Sequence, residues 1–237
     1  MAGYVGHNVP ARDISKSQEQ VSDWVAIKHI NCNGLELSSV SFKDGTDDVV
    51  MDDTFYEYLW IMDGVQNNAA PTDDRSFQFQ VNASGQSGFN ESMTGAGMIG
   101  SNGNFSGSQG AWKGTGNNFG FTGASNRYHN SNDYVNVFYN AVGGQKHTTS
   151  TGNATAGDKS HVSGELRLWH PSDATYYTPY IWTHVSEYDD FNGYGRYLYT
   201  NNSAGVISVA AAIDEIDFKF ITNEINGGTI SMYGLAY

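Results

Sequence analysis

Apolar and polar residues alternate with a period of two in several short segments of this chain. No long stretch carries the 3.6-residue spacing of an amphipathic helix. Between Ser76 and Asn82, Phe77, Phe79 and Val81 alternate with Gln78, Gln80 and Asn82, one dry face and one wet. From Val162 to Trp169, Val162, Leu166 and Leu168 share a side, with Glu165 and Arg167 opposite. From Asp214 to Ile221, Ile216, Phe218 and Phe220 point inward, while Glu215, Asp217 and Lys219 form a salt-bridged solvent face. Thr54 to Met62 is apolar or aromatic on both faces apart from Glu57, which predicts a central strand or one covered by a neighbouring layer. Further strands are predicted at Trp24–Ile30, Leu35–Phe42, Tyr134–Asn140, Tyr176–Val185, Tyr194–Thr200 and Thr229–Leu235. In Leu35–Phe42 the apolar phase slips from Leu35 and Leu37 to Val40 and Phe42, the pattern of a β-bulge. The best helical candidate, Asp13 to Trp24 with Ser15 as its cap, is short.

About ten short strands separated by turn clusters predict an all-β fold, two antiparallel sheets packed as a jelly-roll or concanavalin-like sandwich. A parallel α/β fold needs helical crossovers that the pattern does not supply. The 28 glycines against four prolines fit many turns. Residues 1–22 are polar and lack strand alternation; they are expected to form an N-terminal assembly arm, with Tyr4, Val5, His7 and Val9 as its contact residues. Residues 23–237 then make a single sandwich domain. Within it, 84–126 holds twelve glycines and only Glu91 and Lys113 as formal charges, and is expected to be a long glycine-rich surface loop.

Composition narrows the function classes. With 16% charged and 14% aromatic residues, the chain has the apolar area for a sizeable core, unlike a disordered one. No run approaches the roughly 18 apolar residues of a membrane span. No basic segment followed by an apolar stretch opens the chain, so no secretory signal is expected. A net charge of −13 argues against binding nucleic-acid phosphates. One cysteine, Cys32, excludes an internal disulfide framework and a cysteine-rich zinc site.

Catalytic signatures are incomplete. There is no Gly-x-Ser-x-Gly elbow, Walker loop or His-Glu-x-x-His. Asp190-Phe191-Asn192-Gly193 is only a fragment of a calcium loop, and the Asp pairs 47/48, 52/53, 73/74 and 189/190 are expected at turns and strand ends. Glu215-Ile216-Asp217-Phe218-Lys219 resembles the Glu-x-Asp-x-(x)-Glu strand of sandwich-fold glycosidases such as laminarinases. Lys219 and Phe220 stand where the second catalytic carboxylate belongs, so the pair of acids that glycoside hydrolysis needs does not form here. The seven histidines have no ligand spacing along any strand. No catalytic residue, metal site or cofactor is predicted.

Tyrosine is the most informative excess: fifteen, with five tryptophans, many of them between Tyr176 and Tyr199. Such rings stack on sugars or fill protein interfaces, because one end is apolar and the other wet. Trp112, Tyr128, Tyr176, Tyr177, Tyr180, Tyr188 and Tyr194 are the candidate contact aromatics.

Three stretches together resemble a known family. They are Asp53-Thr54-Phe55-Tyr56-Glu57-Tyr58 with Asp73-Asp74-Arg75-Ser76-Phe77-Gln78-Phe79, then Ser163-Gly164-Glu165-Leu166-Arg167-Leu168-Trp169-His170-Pro171. The third is Ile213-Asp214-Glu215-Ile216-Asp217-Phe218 running into Gly228-Thr229-Ile230-Ser231-Met232-Tyr233-Gly234-Leu235. They look like a β-sandwich module of virion structural proteins from tailed bacteriophages, especially those of marine bacteria; Gly3-Tyr4-Val5-Gly6 resembles the N-terminal lead of such proteins. The resemblance implies a non-enzymatic structural protein on the particle surface, made in the bacterial cytoplasm. It would be a tail fibre or spike component, or alternatively a capsid decoration or capsid-fibre protein. Its implied partners are other virion proteins, copies of itself as a homotrimer, and a host-surface glycan. A stand-alone carbohydrate-binding module is the alternative from another class.

Overall fold

A computed structural model describes residues 24–67, 77–104, 129–131, 135–136, 161–190, 195–220 and 224–235. The described residues contain no helix and form two antiparallel sheets. Twelve strands run in chain order: β1 (Trp24–Asn31), β2 (Val40–Lys43), β3 (Glu57–Asn67), β4 (Phe77–Ala83), β5 (Met93–Asn104), β6 (His129–Ser131), β7 (Val135–Asn136), β8 (His161–Trp169), β9 (Thr178–Asp190), β10 (Gly195–Ile207), β11 (Ile213–Phe220) and β12 (Ile225–Leu235). The large sheet has the order β1-β12-β3-β8-β9-β10-β5-β6 and the small one β2-β11-β4-β7. This is the predicted two-sheet sandwich.

The core lies between the sheets, because one face of each strand carries the large apolar side chains. Tyr58, Trp60 and Met62 of β3, Val162, Leu166 and Leu168 of β8, and Tyr180 and Trp182 of β9 meet Phe42, Phe77, Phe79, Val81, Ile216 and Phe218 from the small sheet. Ring geometry shows how closely they interlock: Phe79 meets Trp182 edge-on with centroids 4.9 Å apart, and Phe77 stacks on Phe218 at 6.0 Å. Fully burying one such ring stabilises by about 1.5–3 kcal/mol. β3 is flanked by β12 and β8, and its outward Glu57 and Leu59 are buried too, which explains its two-sided apolar sequence.

Four expectations are corrected. First, the phase slip in Leu35–Phe42 is a crossover between sheets and not a bulge. Leu37 bridges Ile225 beside the large sheet, whereas Val40–Lys43 pair with β11 in the small one. Second, the glycine-rich stretch is not wholly a loop: Met93–Asn104 is a strand, paired along its length with β10. Third, Gln78 and Gln80, expected on a wet face, are buried, and at Gln80 the segment after β4 folds back over that face. Gln80 donates to the Glu91 carbonyl at 3.2 Å, and the buried Glu91 carboxylate accepts from the Ala83 N–H at 3.2 Å. Fourth, Asp217 is buried on its outward face and accepts a 2.6 Å hydrogen bond from the Ser41 hydroxyl. Its neighbour Glu215 does pair with Lys43, at 3.7 Å. Ser41→Ala takes a donor from a buried carboxylate, so it is expected to lower stability by about 1.5–3 kcal/mol in urea unfolding. An unchanged midpoint would show that the Ser41 bond carries no net stability.

The helical candidate Asp13 to Trp24 lies outside the described residues apart from Trp24, which opens β1. The arm residues Tyr4, Val5, His7 and Val9 also lie outside them. Of Tyr134–Asn140 only Val135 and Asn136 are described, as β7.

Candidate binding surface

The outward face of the large sheet, with the turn at one of its ends, carries the exposed aromatics. Register sets Trp24 opposite Leu235, Leu235 opposite Glu57, and Glu57 opposite Trp169, so these four residues form a row at the end from which the β8–β9 turn projects. That turn, residues 170–177, presents Tyr176 and Tyr177, 73% and 56% exposed.

The turn is fastened at several points. His170, in the left-handed region at φ 48°, donates its N–H to the Tyr56 carbonyl at 2.7 Å. Pro171 accepts from the Ile213 N–H at 2.7 Å, which ties the turn to the small sheet. The Asp173 carboxylate accepts from the Thr175 N–H at 2.6 Å and from the Tyr176 N–H at 3.3 Å. These bonds, the one from Thr175 first, hold its carboxyl below the usual range. An Asp in this position folds the chain into a local turn that fixes where the next side chains begin.

Beside the turn, Arg167 organises the face. Its guanidinium donates to Glu57 at 3.1 Å and to both oxygens of Glu165 at 3.2 and 3.4 Å, and it lies 5.8 Å from the centroid of the Trp24 ring. The hydrogen bonds with Glu165 lead the effects that keep the guanidinium firmly charged. A planar cation held between two carboxylates and an indole is a rigid platform. Next to Glu165 the face dips into an open trough of about 350 Å³ lined by Ile61, Ser163, Thr183, Val185, Thr200 and Asn202, with Gly164 among the lining. Thr183 donates to Asn202 across it at 3.2 Å. Apolar walls with hydroxyl, amide and carboxylate groups at the rim suit a neutral polyhydroxylated ligand or a polar protein surface.

Of the aromatics singled out in the sequence, Tyr176 and Tyr177 stand together on this surface. Tyr180 does not: it is 1% exposed, its ring packs edge-on against Phe79 at 5.5 Å, and burial pushes its hydroxyl pKa well up. Tyr188 falls in β9, beyond the part of that strand whose side chains are described, and Trp112, Tyr128 and Tyr194 lie outside the described residues. Sequence reasoning missed Trp24 and the Glu57–Arg167–Glu165 group. Their signal was present in Arg167 on the polar face of β8 and in Glu57 at the start of β3, both outward, but only register brings them together.

Among the described residues, no three of His, Cys, Asp and Glu converge closely enough to hold a metal ion. The described Asp pairs sit in turns or at a strand end. Asp47 and Asp48 have φ of 51° and 66°, the Asp52 carboxylate accepts from the Thr54 N–H at 2.8 Å, and Asp189 and Asp190 end β9. The pair 73/74 lies outside the described residues. Comparison with protein-family models, with curated proteins and with solved structures found no match.

Proposed function

We propose that this chain is a non-enzymatic structural protein of a tailed-phage virion, a tail fibre or spike component that presents its sandwich at the particle surface. Residues 1–22 would join it to other virion proteins, and the end of the large sheet bearing Tyr176 and Tyr177 would meet the host surface, a glycan first of all. The observation that carries this reading is that tyrosine pair, held out on a turn fastened to both sheets. Anchored amphipathic rings of this kind give contact area at little cost in side-chain entropy. The three stretches that resemble the phage module support the choice of particle. The same module on the capsid is the near variant.

Glu215 and Asp217 of β11 fit a scaffold better than a hydrolase. Glu215 is engaged by Lys43 and Asn82, and Asp217 is buried against Ser41, so neither is poised across an open cleft. A stand-alone carbohydrate-binding module is the second reading, favoured by the trough beside Glu165.

Changing Tyr176 and Tyr177 together to Ala is expected to reduce adsorption to host cells or to an immobilised host glycan at least ten-fold, the scale of a lost aromatic hot spot. Because both rings are exposed, stability should stay within about 0.5 kcal/mol. Full adsorption by the folded double variant would remove this turn from the contact surface. Labelled antibody against the chain, imaged on intact particles, separates the tail reading from the capsid one; no label on any particle would refute both.

A further inference from the structure

We infer that β1 is a self-complementary edge through which two copies of this chain pair antiparallel, extending the large sheet across a two-fold axis. Most strand edges in the described residues are blunted by shortness: β6 has three residues, β2 four and β7 two. β1 is different. It runs for eight residues at the border of the large sheet, Trp24-Val25-Ala26-Ile27-Lys28-His29-Ile30-Asn31, with no proline and no carboxylate, in a chain of net charge −13. Natural edges of this length are usually protected by an outward lysine or another charge. Here the polar side chains are turned back onto their own chain: Lys28 donates to the Asp47 carbonyl at 2.7 Å, and the His29 ring contacts the Ser231 hydroxyl at 2.8 Å. Val25, at 45% exposed, and Trp24, at 38%, remain open to solvent at its first turn of pleat.

Register shows which backbone groups of β1 are turned away from β12. The Cys32 N–H donates to the Gly228 carbonyl at 2.9 Å. Pairs of the same phase, Ile30 with Ile230 and Lys28 with Met232, therefore turn their backbone groups to β12, and His29 and Asn31 turn theirs outward. A bulge between Ala26 and Lys28 moves the phase by one, so Val25 opposite Gly234 faces β12 while Trp24 and Ala26 face outward. The outward set is thus Trp24, Ala26, His29 and Asn31. An antiparallel second copy sets Trp24 opposite Asn31 and Ala26 opposite His29, outward groups against outward groups throughout. Both bulges meet at the axis, and Lys28 faces Ile27 and not another Lys28. A two-fold contact needs only one surface, and β1 supplies it; for a head-to-tail contact β2, β6 and β7 are too short, and the outer edge of β5 past β6, residues 96–104, is weakened as a pairing strand by glycines at 97, 100 and 103.

An interface of one strand pair is small, so the dimer belongs to the weak and transient class. The full chain should therefore be followed by sedimentation between about 1 and 100 µM. The expected result is a mass rising from 25.8 kDa to twice that value, with the dimer favoured by added salt, which screens the repulsion between the two acidic copies. Amide exchange at Ala26 and His29 should slow with concentration. Ala26→Pro removes an outward N–H without touching β12, a change that edge strands tolerate, and Val25→Lys places a charge on the edge. Each should shift dissociation at least ten-fold while circular dichroism and melting stay near wild type. A monomer at every concentration would overturn the inference, as would a trimer or any assembly that both β1 variants leave intact.

Discussion

Gly95→Ala is expected to destabilise the protein by about 2 kcal/mol, and Tyr180→Phe is expected to rescue it. Tyr180, Gly205 and Gly95 lie in one row across β9, β10 and β5, each directly paired with the next. Tyr180 is buried and its ring lies across both glycines. A Cβ on Gly95 would collide with the Tyr180 hydroxyl oxygen, with the Ala204 carbonyl at 3.0 Å and Tyr180 Cζ at 3.3 Å as the next contacts. Inserting a methyl into such packing typically costs 1–3 kcal/mol. Removing the hydroxyl clears the worst contact, so in the Tyr180→Phe background Gly95→Ala should be near neutral. The usual gain of about 0.5–1 kcal/mol from replacing glycine within a strand then offsets the residual tightness. Gly205 serves as the internal control. A Cβ there would meet the Thr94 carbonyl as well as Tyr180 Oη at 2.6 Å and Cε1 at 2.7 Å, and most of that survives loss of the hydroxyl. Gly205→Ala should therefore cost about 3 kcal/mol in both backgrounds. Urea unfolding of the single and double variants measures the coupling, expected to exceed about 1 kcal/mol for the Gly95 pair alone. Additive effects at Gly95 would mean that the ring does not lie over β5.

The same row explains what the sequence concealed. Alternation is legible where a strand has one large apolar face, as in β8 and β11, and there the inward residues were identified correctly. β5 has no such face. Its described inward positions include Gly95, kept small because a tyrosine from two strands away fills the space, so local pattern carried a turn signal where the cause was close packing. Tyr180 was misplaced for the complementary reason. It belongs to a dense run of tyrosines that includes the exposed Tyr176 and Tyr177, and only its phase with Trp182 and His184 along β9 distinguishes a core ring from a surface one. That phase is blurred in sequence because Ile181, on the opposite face, is apolar and 40% exposed. The buried Asp217 and Gln80 were illegible for a different reason. Alternation assigns a face, but what covers that face comes from segments distant in sequence, Ser41 in one case and Glu91 in the other. The proposed contact surface was legible as a turn bearing two tyrosines. Its platform of Trp24, Arg167, Glu57 and Glu165 depends on pairings among four strands that no single segment encodes.

His184 should make the fold sensitive to mild acid, and His184→Leu should abolish that part of the sensitivity. The side chain follows Trp182 on the inward face of β9, with the two rings 5.2 Å apart. It is 2% exposed, and neither ring nitrogen has a hydrogen-bond partner among the described residues. Desolvation drives its pKa down to about 3, against an ordinary value near 6.5. The folded protein thus holds a neutral imidazole across a range of pH in which the unfolded chain binds a proton. Between those limits unfolding takes up one proton at this site, so stability falls as pH falls, by up to about 1.4 kcal/mol per pH unit. Above about pH 6.5 the site makes no pH-dependent contribution; approaching pH 3 the accumulated loss is of order 4 kcal/mol. Leucine has a similar volume and no polar atoms, so it removes both the titration and two unsatisfied nitrogens. At pH 7.5 His184→Leu should already be more stable than wild type by about 1–3 kcal/mol, the cost of leaving a buried polar group unpaired. The stability difference between the two proteins should then widen steadily from pH 6.5 to pH 4.5. Carboxylates that also lose stability in acid, such as Asp52 and Asp173, are common to both proteins and cancel in that difference. A constant difference across the range would show that the imidazole gains a proton without unfolding, and hence that water or a partner reaches it inside the folded sandwich.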